Sequence, residues 1–435
     1  MGTLSLAAPA LGVAAAAPFA AIALLAAFVV TDGPLFELFA RPGDREDGRL
    51  NGLASVALAT TGLALLATVP RVPMPLTVFV ATVVGITYGN LGAQAATPRV
   101  DDPFVSVAGF AALGFPAAIV AQAVVRSMGD GLGLATLVGS LPDFAFVAAC
   151  GTLIAALVRS ALYERDDPVV ILSTGLFVWL SAAIVDTVGA VEIGLALVVT
   201  AGLGFVSYRL GTASVTGMLT GVLLGLLTVV FGDFGWFVVL IAFFSVGGLS
   251  TKFRYEEKLS RGVAEDNDGA RGSSNVLGNA AVSFVAVVGF AAVARVPVDV
   301  PSVVFIFAYA GSLAAAMSDP LSSEIGGLSD PPRLITTLRP VPPGTDGGVT
   351  WQGEVAGVVG AAFVAGLALV LMPISGSTMV VLGVITLSGI AGMTVDSLLG
   401  ATLEGDRIGN EAVNFLATLT GAVVSGGAAF VVVPG

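Results

Sequence analysis

Long apolar runs recur along the whole chain, and they leave it few ways to fold. Fourteen of them read as membrane helices, near 5–31, 50–69, 74–95, 104–125, 132–158, 168–185, 187–207, 212–231, 234–251, 276–294, 302–317, 353–372, 377–401 and 411–432. About 20 apolar residues carry a helix across the ~30 Å hydrocarbon layer, and most of these runs come close to that length. Charged residues make up only 11% of the 435, against roughly a quarter in soluble domains, and mean hydropathy is +0.97. So few polar side chains could not cover a soluble surface of this size. The expectation is an all-α polytopic transmembrane bundle of about fourteen spans. The first run lacks a basic leading segment, which argues against a secretory signal peptide.

The same composition removes whole classes of chemistry. There is no histidine, so no imidazole base, ligand or pH switch exists. The single cysteine, Cys150, lies in an apolar run and reads as a small core residue. Carboxylates and cations remain as the ionic chemistry. Sixteen of the 18 cations are arginine and the net charge is −12, a balance that resembles salt-adapted archaeal proteins and disfavours nucleic acid.

Connections after odd-numbered runs hold fifteen Arg and Lys residues, and those after even-numbered runs hold three. By the positive-inside rule this places the N-terminus outside and the odd connections in the cytoplasm of a multi-pass cell-membrane protein. The two longest connections, 252–275 and 318–352, fall on that side, as does 402–410. Residues 1–186 have short connections and read as a first membrane domain of unknown role; 187–435 carry most of the chemistry and read as a second. Matching segments at 101–110 and 167–178 hint at an old repeat.

Four polar clusters stand out in the second domain. In the first, alternating charges from Lys252 lead to Gly269-Ala270-Arg271-Gly272-Ser273-Ser274-Asn275, which opens a span and could present amides and a guanidinium to phosphate. The second is Ser318-Asp319-Pro320-Leu321-Ser322-Ser323-Glu324. Asp319 and Ser323 share a helical face, and Asp319 with Glu324 would suit Mg²⁺. Asp before Pro is equally a helix cap. The third holds Arg333 and Arg339, then Pro343-Gly344-Thr345-Asp346-Gly347-Gly348, whose glycines allow either an anion loop or a plain turn. The fourth places Asp396 and Ser397 at the end of an apolar run, within reach of Asn414. An ionisable group at such depth is costly and marks a candidate site. Asp143 and Glu192 are weaker candidates of the same kind.

These clusters resemble the integral-membrane family called domain of unknown function 92, which includes the plant chloroplast phytyl-phosphate kinase. The resemblance is carried by Phe243-Phe244-Ser245 through Ser250-Thr251-Lys252, by Arg271 to Asn279, and by residues 318–326, 332–337, 342–349 and 396–402, in that order, and covers about 187–433. The sequence departs from the family pattern at Pro320, Asn275 and Ala280. The resemblance implies phosphoryl transfer from CTP to an isoprenoid monophosphate of phytyl or geranylgeranyl type, and a more distant kinship with CTP-using dolichol kinases and CDP-lipid synthases. On that reading Asp319, Glu324 and Asp396 hold Mg²⁺. Arg271, Asn279, Ser323, Arg333, Arg339, Gly344, Thr345, Asp346, Gly347, Gly348, Ser397 and Asn414 bind nucleotide and phosphate. The partners would be nucleotide, lipid substrate and bilayer. Two alternatives stay open on the residues alone: a transporter or lipid flippase, favoured by Asp143 and Glu192, and a non-catalytic membrane partner.

Overall fold

The computed structural model describes residues 1–97, 102–130, 133–161, 167–263, 271–297, 299–329, 331–405 and 407–432. Of the residues singled out from sequence, Arg99, Asp101, Arg165, Gly269 and Ala270 lie outside this set. The chain forms two compact units, Met1–Leu195 and Ala196–Gly435. Unit 1 contains α1 (Gly2–Ser5), α2 (Ala8–Leu11), α3 (Ala17–Phe28), α4 (Gly33–Phe39), α5 (Pro42–Asp47), α6 (Asn51–Leu66), α7 (Leu76–Ala96), α8 (Pro103–Asp130), α9 (Leu134–Gly139), α10 (Leu141–Ala161) and α11 (Asp167–Ala183). The division falls inside α12 (Ala190–Arg209). Unit 2 continues with α13 (Val215–Phe231), α14 (Phe234–Lys252), α15 (Tyr255–Arg261), α16 (Ser273–Val293), α17 (Ser302–Gly326), α18 (Trp351–Leu371), α19 (Thr378–Gly400) and α20 (Asn410–Val432). A two-stranded ribbon, β1 (Arg333–Leu334) with β2 (Gly348–Val349), lies between α17 and α18.

Every apolar run is helical, but fewer than fourteen are long enough to cross a bilayer. Among the described residues ten helices qualify, or eleven if the bent pair Ala14–Phe28 and Gly33–Phe39 counts as one span. The first run is interrupted by Pro9, Gly12 and Pro18, and that bent pair turns through 107°. The 132–158 run divides at Ser140 into α9 and α10. The helices α6, α11 and α13 have 17 residues at most. At 1.5 Å per residue that is about 26 Å, short of the hydrocarbon thickness. Apolar length in sequence overstates helical length wherever Pro, Gly or a capping Asp ends the helix early. A capping Ser214 acts in the same way at the start of α13, its hydroxyl accepting from the Gly217 amide at 3.2 Å, so the helix begins at Val215 and not at 212.

Unit 2 is organised around α17, which packs against α14, α16, α18, α19 and α20. From Tyr309 to Ser318 every residue of α17 is buried, and most are Ala, Gly or Ser. Small residues let helix backbones approach in lipid, where dispersion and interhelical hydrogen bonds replace the hydrophobic drive. A Cβ on Gly311 would lie 2.5 Å from the Gly421 carbonyl oxygen, so a larger residue would force α17 and α20 apart. Polar bonds tie the same helix outward. Tyr309 donates to the Trp236 carbonyl at 2.7 Å, and Ser318 Oγ lies 2.8 Å from the Ala314 carbonyl and 2.9 Å from that of Gly357 on α18.

The structure decides one alternative left open by sequence. Asp319 is not a helix cap: α17 runs unbroken through Pro320 to Gly326. Proline removes one backbone hydrogen bond from the helix interior. The close packing of α17 on five neighbours holds the helix through that gap and carries Asp319, Ser323 and Glu324 beyond the apolar core.

Candidate functional site

The last two turns of α17 enter a cavity of about 300 Å³. Its other walls are Arg271 and the start of α16, the end of α19, Glu404, the start of α20, and the loop between Pro343 and Thr350. Helix C-termini and N-termini therefore meet around it, with amides from α16 and α20 nearby.

Local structure aims each wall. The Arg271 amide donates to the Thr212 carbonyl at 3.0 Å, and the Arg271 carbonyl accepts from Ser214 at 3.1 Å. Those two bonds fasten Arg271 to the turn before α13. Its guanidinium lies against Gly247 of α14, where a Cβ would be 3.7 Å away. The 343–350 loop is closed by the ribbon, in which Arg333 pairs with Val349 and Leu334 with Gly348. Gly347 sits at φ +71°, and a Cβ there would come within 2.5 Å of the Ser397 carbonyl. Glycine is required at this point for both conformation and space. The amides of Thr345 and Gly348 are engaged inside the loop, by Pro342 and Thr345 carbonyls at 3.3 and 2.9 Å.

The cavity is acidic. Asp319 and Asp396 face each other within hydrogen-bonding range. The Oδ1 atom of Asp396 is buried and has no hydrogen-bond partner. Asp346 and Glu404 add two more carboxylates. Partial burial, then the charges of Asp346 and Asp319, raise the Glu404 carboxyl above its usual range. Arg271 is the one guanidinium lining the cavity among the described residues. Asn275, Asn279, Asn410 and Asn414 supply neutral donors and acceptors. Asn279 is anchored through its amide nitrogen to the Asn275 carbonyl at 3.0 Å.

Of the residues selected from sequence, Arg271, Asn279, Asp319, Ser323, Glu324, Gly344, Thr345, Asp346, Gly347, Gly348, Asp396, Ser397 and Asn414 all line this cavity. Arg333 and Arg339 are not among its walls. Both are exposed, and the Arg333 guanidinium donates to the Leu338 carbonyl at 2.8 Å. Glu324 stands apart from the other two carboxylates in its bonding. Its carboxylate forms a buried ion pair with Lys258 of α15, and Lys258 also donates to the carbonyls of Ser250 and Thr251 at 2.8 and 2.9 Å. The reading that grouped Glu324 with Asp319 and Asp396 therefore changes: Glu324 is held by a cation of the chain itself. Lys258, Glu404 and Asn410 were not selected from sequence. Lys258 was one of only two lysines, but nothing local distinguished it from its charged neighbours.

The donor set bears on Mg²⁺. Among the described residues no group of three or more carboxylates is placed to hold a metal. Two adjacent carboxyls, one with an unpartnered buried oxygen, do fit an ion that takes oxygen ligands and completes its shell with water and substrate phosphate. Asp319 and Asp396 are the residues that would hold it.

Comparison with known proteins places this arrangement. The chain is similar to the uncharacterized membrane protein MJ0933 of Methanocaldococcus jannaschii, 36% identical over 214 residues that cover 48% of this chain and 82% of the relative. It is similar to protein VTE6, chloroplastic, of Arabidopsis thaliana, 30% identical over 218 residues covering 49% and 64%. Protein PGR of the same plant is 30% identical over 227 residues covering 48% and 78%. No solved structure matches the chain. The family model described as integral membrane protein DUF92 matches residues 198–422, just over half of the chain, and takes in every wall of the cavity. The chain is a multi-pass integral membrane protein and belongs to the DUF92 family.

Proposed function

We propose that the chain is a membrane phosphotransferase that moves the γ-phosphoryl group of CTP to an isoprenoid monophosphate. The observation that carries this reading is the pairing of Asp319 with Asp396 beside Arg271 in one polar cavity within the family-matched region. The similarity to protein VTE6 supports it, because the family resemblance seen in the sequence includes the plant phytyl-phosphate kinase. Phosphoryl transfer depends on positioning and charge neutralisation more than on a nucleophilic side chain, which suits a site without histidine or a reactive thiol.

In this scheme a phosphate oxygen of the acceptor attacks the γ-phosphorus, the bond to the β–γ bridging oxygen breaks, and CDP leaves. Asp319 and Asp396 would hold Mg²⁺, which would supply positive charge against that of the phosphates. Arg271, lining the same cavity, grips a phosphate with two parallel donors. The 344–348 loop shapes the space for the donor, and Asn275, Asn279 and Asn414 orient polar edges. Glu324, neutralised by Lys258, holds the end of α17 in place so that Asp319 keeps its aim.

The cavity mouth faces the cytoplasm, where CTP is found; in unit 2 the connections α14–α16, α17–α18 and α19–α20 lie on one side and, with Lys252 at the end of α14, hold eight Arg and Lys residues, against one in α16–α17 and α18–α19, which supports this. With Cys150→Ser as background, Ser260→Cys should resist an impermeant thiol reagent in intact cells and react after lysis. The transport alternative drew on broken helices, an internal repeat and the carboxylates Asp143 and Glu192. Both accept from backbone amides, Asp143 from Val188 at 2.8 Å and Glu192 from Gly189 at 3.3 Å, which accounts for them without a pathway.

The test is an assay of the purified chain in detergent with each nucleoside triphosphate, Mg²⁺ and a panel of prenyl alcohols and monophosphates. Product expected is a prenyl diphosphate formed with CTP. Absence of any phosphoryl transfer across the panel, in protein whose melting is sharpened by neither nucleotide nor Mg²⁺, would refute the reading.

A further inference from the structure

A second hollow in unit 2 is so far unassigned. It is a groove of about 130 Å³ between α12, α13 and α14. Phe237, Leu240, Phe244, Gly248 and Lys252 line it from α14 at helical spacing. Phe237 to Lys252 is fifteen residues, so the groove runs about 22 Å at 1.5 Å per residue. The Phe237 end lies beside Gly225 of α13 and Thr200 of α12, and the wall between the two ends is lined by Leu203, Met218, Leu240 and Phe244. The other end carries Lys252 and Arg271. Arg271 also lines the polar cavity, so the two hollows meet at this residue.

We infer that this groove binds the single hydrocarbon chain of a lipid monophosphate, with the phosphate at Lys252 and Arg271 and the tail along α14 toward Phe237. Two features select that occupant. The cationic end complements one anionic head group, and the apolar length complements a tail. The junction at Arg271 delivers the head group to the cavity that Asp319 and Asp396 also line. The inference rests on the phosphotransferase reading only for why the head group should arrive there; the binding itself stands apart from it.

Two glycines make the groove testable without disturbing the core. A Cβ at Gly221 or at Gly248 would meet nothing within 4 Å, so a side chain there enters open space. Gly366 of α18 is equally open but lines neither hollow, and serves as the control. The experiment is equilibrium binding to the purified full chain in detergent, with geranylgeranyl monophosphate, geranylgeraniol and inorganic phosphate as probes, and with Mg²⁺-CTP titrated separately. Gly248→Leu and Gly221→Leu should weaken binding of the prenyl monophosphate at least tenfold, while Gly366→Leu matches the unsubstituted chain. Geranylgeraniol and inorganic phosphate should each bind at least tenfold more weakly than the prenyl monophosphate, since each lacks one end. Unchanged affinity in both groove variants would overturn the assignment. So would a free alcohol, or free phosphate, that binds as tightly as the whole lipid. Loss of the Mg²⁺-CTP response alone would count against the phosphotransferase reading and leave the groove result standing.

Discussion

In unit 1, Asp44 accepts the Arg41 amide at 3.0 Å and the Gly52 amide at 3.1 Å, so both of its oxygens are engaged by backbone. Asp143 does the same for Val188. In unit 2, Asp396 has a buried oxygen with no partner, and its near neighbour is another carboxyl. The contrast separates two uses of a carboxylate in an apolar protein. One completes the hydrogen bonds of helix ends, where the group is stabilised by donors already present. The other is left under-satisfied, which a fold tolerates where a ligand will supply the missing charge. The family match follows the same line, covering residues 198–422.

Ion pairs sharpen the comparison most. Arg41–Asp167 in unit 1 is 2.8 Å long, with side chains 55% and 22% exposed; Lys258–Glu324 in unit 2 is 1% and 9% exposed. Removing one partner of a buried pair strands a charge and costs about 3–5 kcal/mol, whereas an exposed pair is worth about 0–1 kcal/mol. Lys258→Met should therefore lower the melting temperature far more than Arg41→Ala, and Lys258→Met with Glu324→Leu should recover most of the loss. Equal shifts for the two single variants would erase the distinction.

Next in size is the effect on turnover. Asp396→Asn keeps shape and removes charge, and kcat should fall at least about a hundredfold, or about 2.7 kcal/mol of transition-state stabilisation. Asp319→Asn should behave alike, because Asp319 lies inside α17 and has no cap to preserve. Both variants should insert and melt normally. Full activity in either would remove that residue from the site.

A smaller change is expected for Asp143→Ala, which deletes one acceptor of a backbone amide. Stability should drop by about 1 kcal/mol with kcat unaltered. A large loss of activity would bring unit 1 into the chemistry.

The smallest effect concerns pH. The Glu404 carboxyl is raised by burial and by Asp346 and Asp319. Its neutral form is favoured on folding, so that contribution is complete below the ordinary carboxylate range and is lost as pH rises through the raised value. Glu404→Gln should flatten the fall in melting temperature over that window, measured without ligand, and leave the acid side unchanged. A steeper fall in the variant would reverse the assigned sign.

The sequence by itself determined the solvent and the class of fold. Apolar runs and scarce charge specify helices in a membrane, because each run reports a property of its own residues. It also located the polar blocks around 271–279, 318–326, 343–349 and 396–402, since an ionisable or glycine-rich stretch interrupting such runs is visible locally. Tertiary structure decided the rest. Arg333 and Arg339 sit beside Gly344 in the chain, yet the ribbon turns them away from the cavity. Glu324, five residues from Asp319, is taken by Lys258, 66 positions earlier. Glu404 enters the cavity because α19 ends where α17 also ends. Whether α17 breaks at Pro320 depended on five neighbouring helices, not on the proline. A sequence states which groups are available and on which helical face. Which of them meet is set by how closely those helices pack, through contacts such as Gly311 on Gly421, and that packing is non-local.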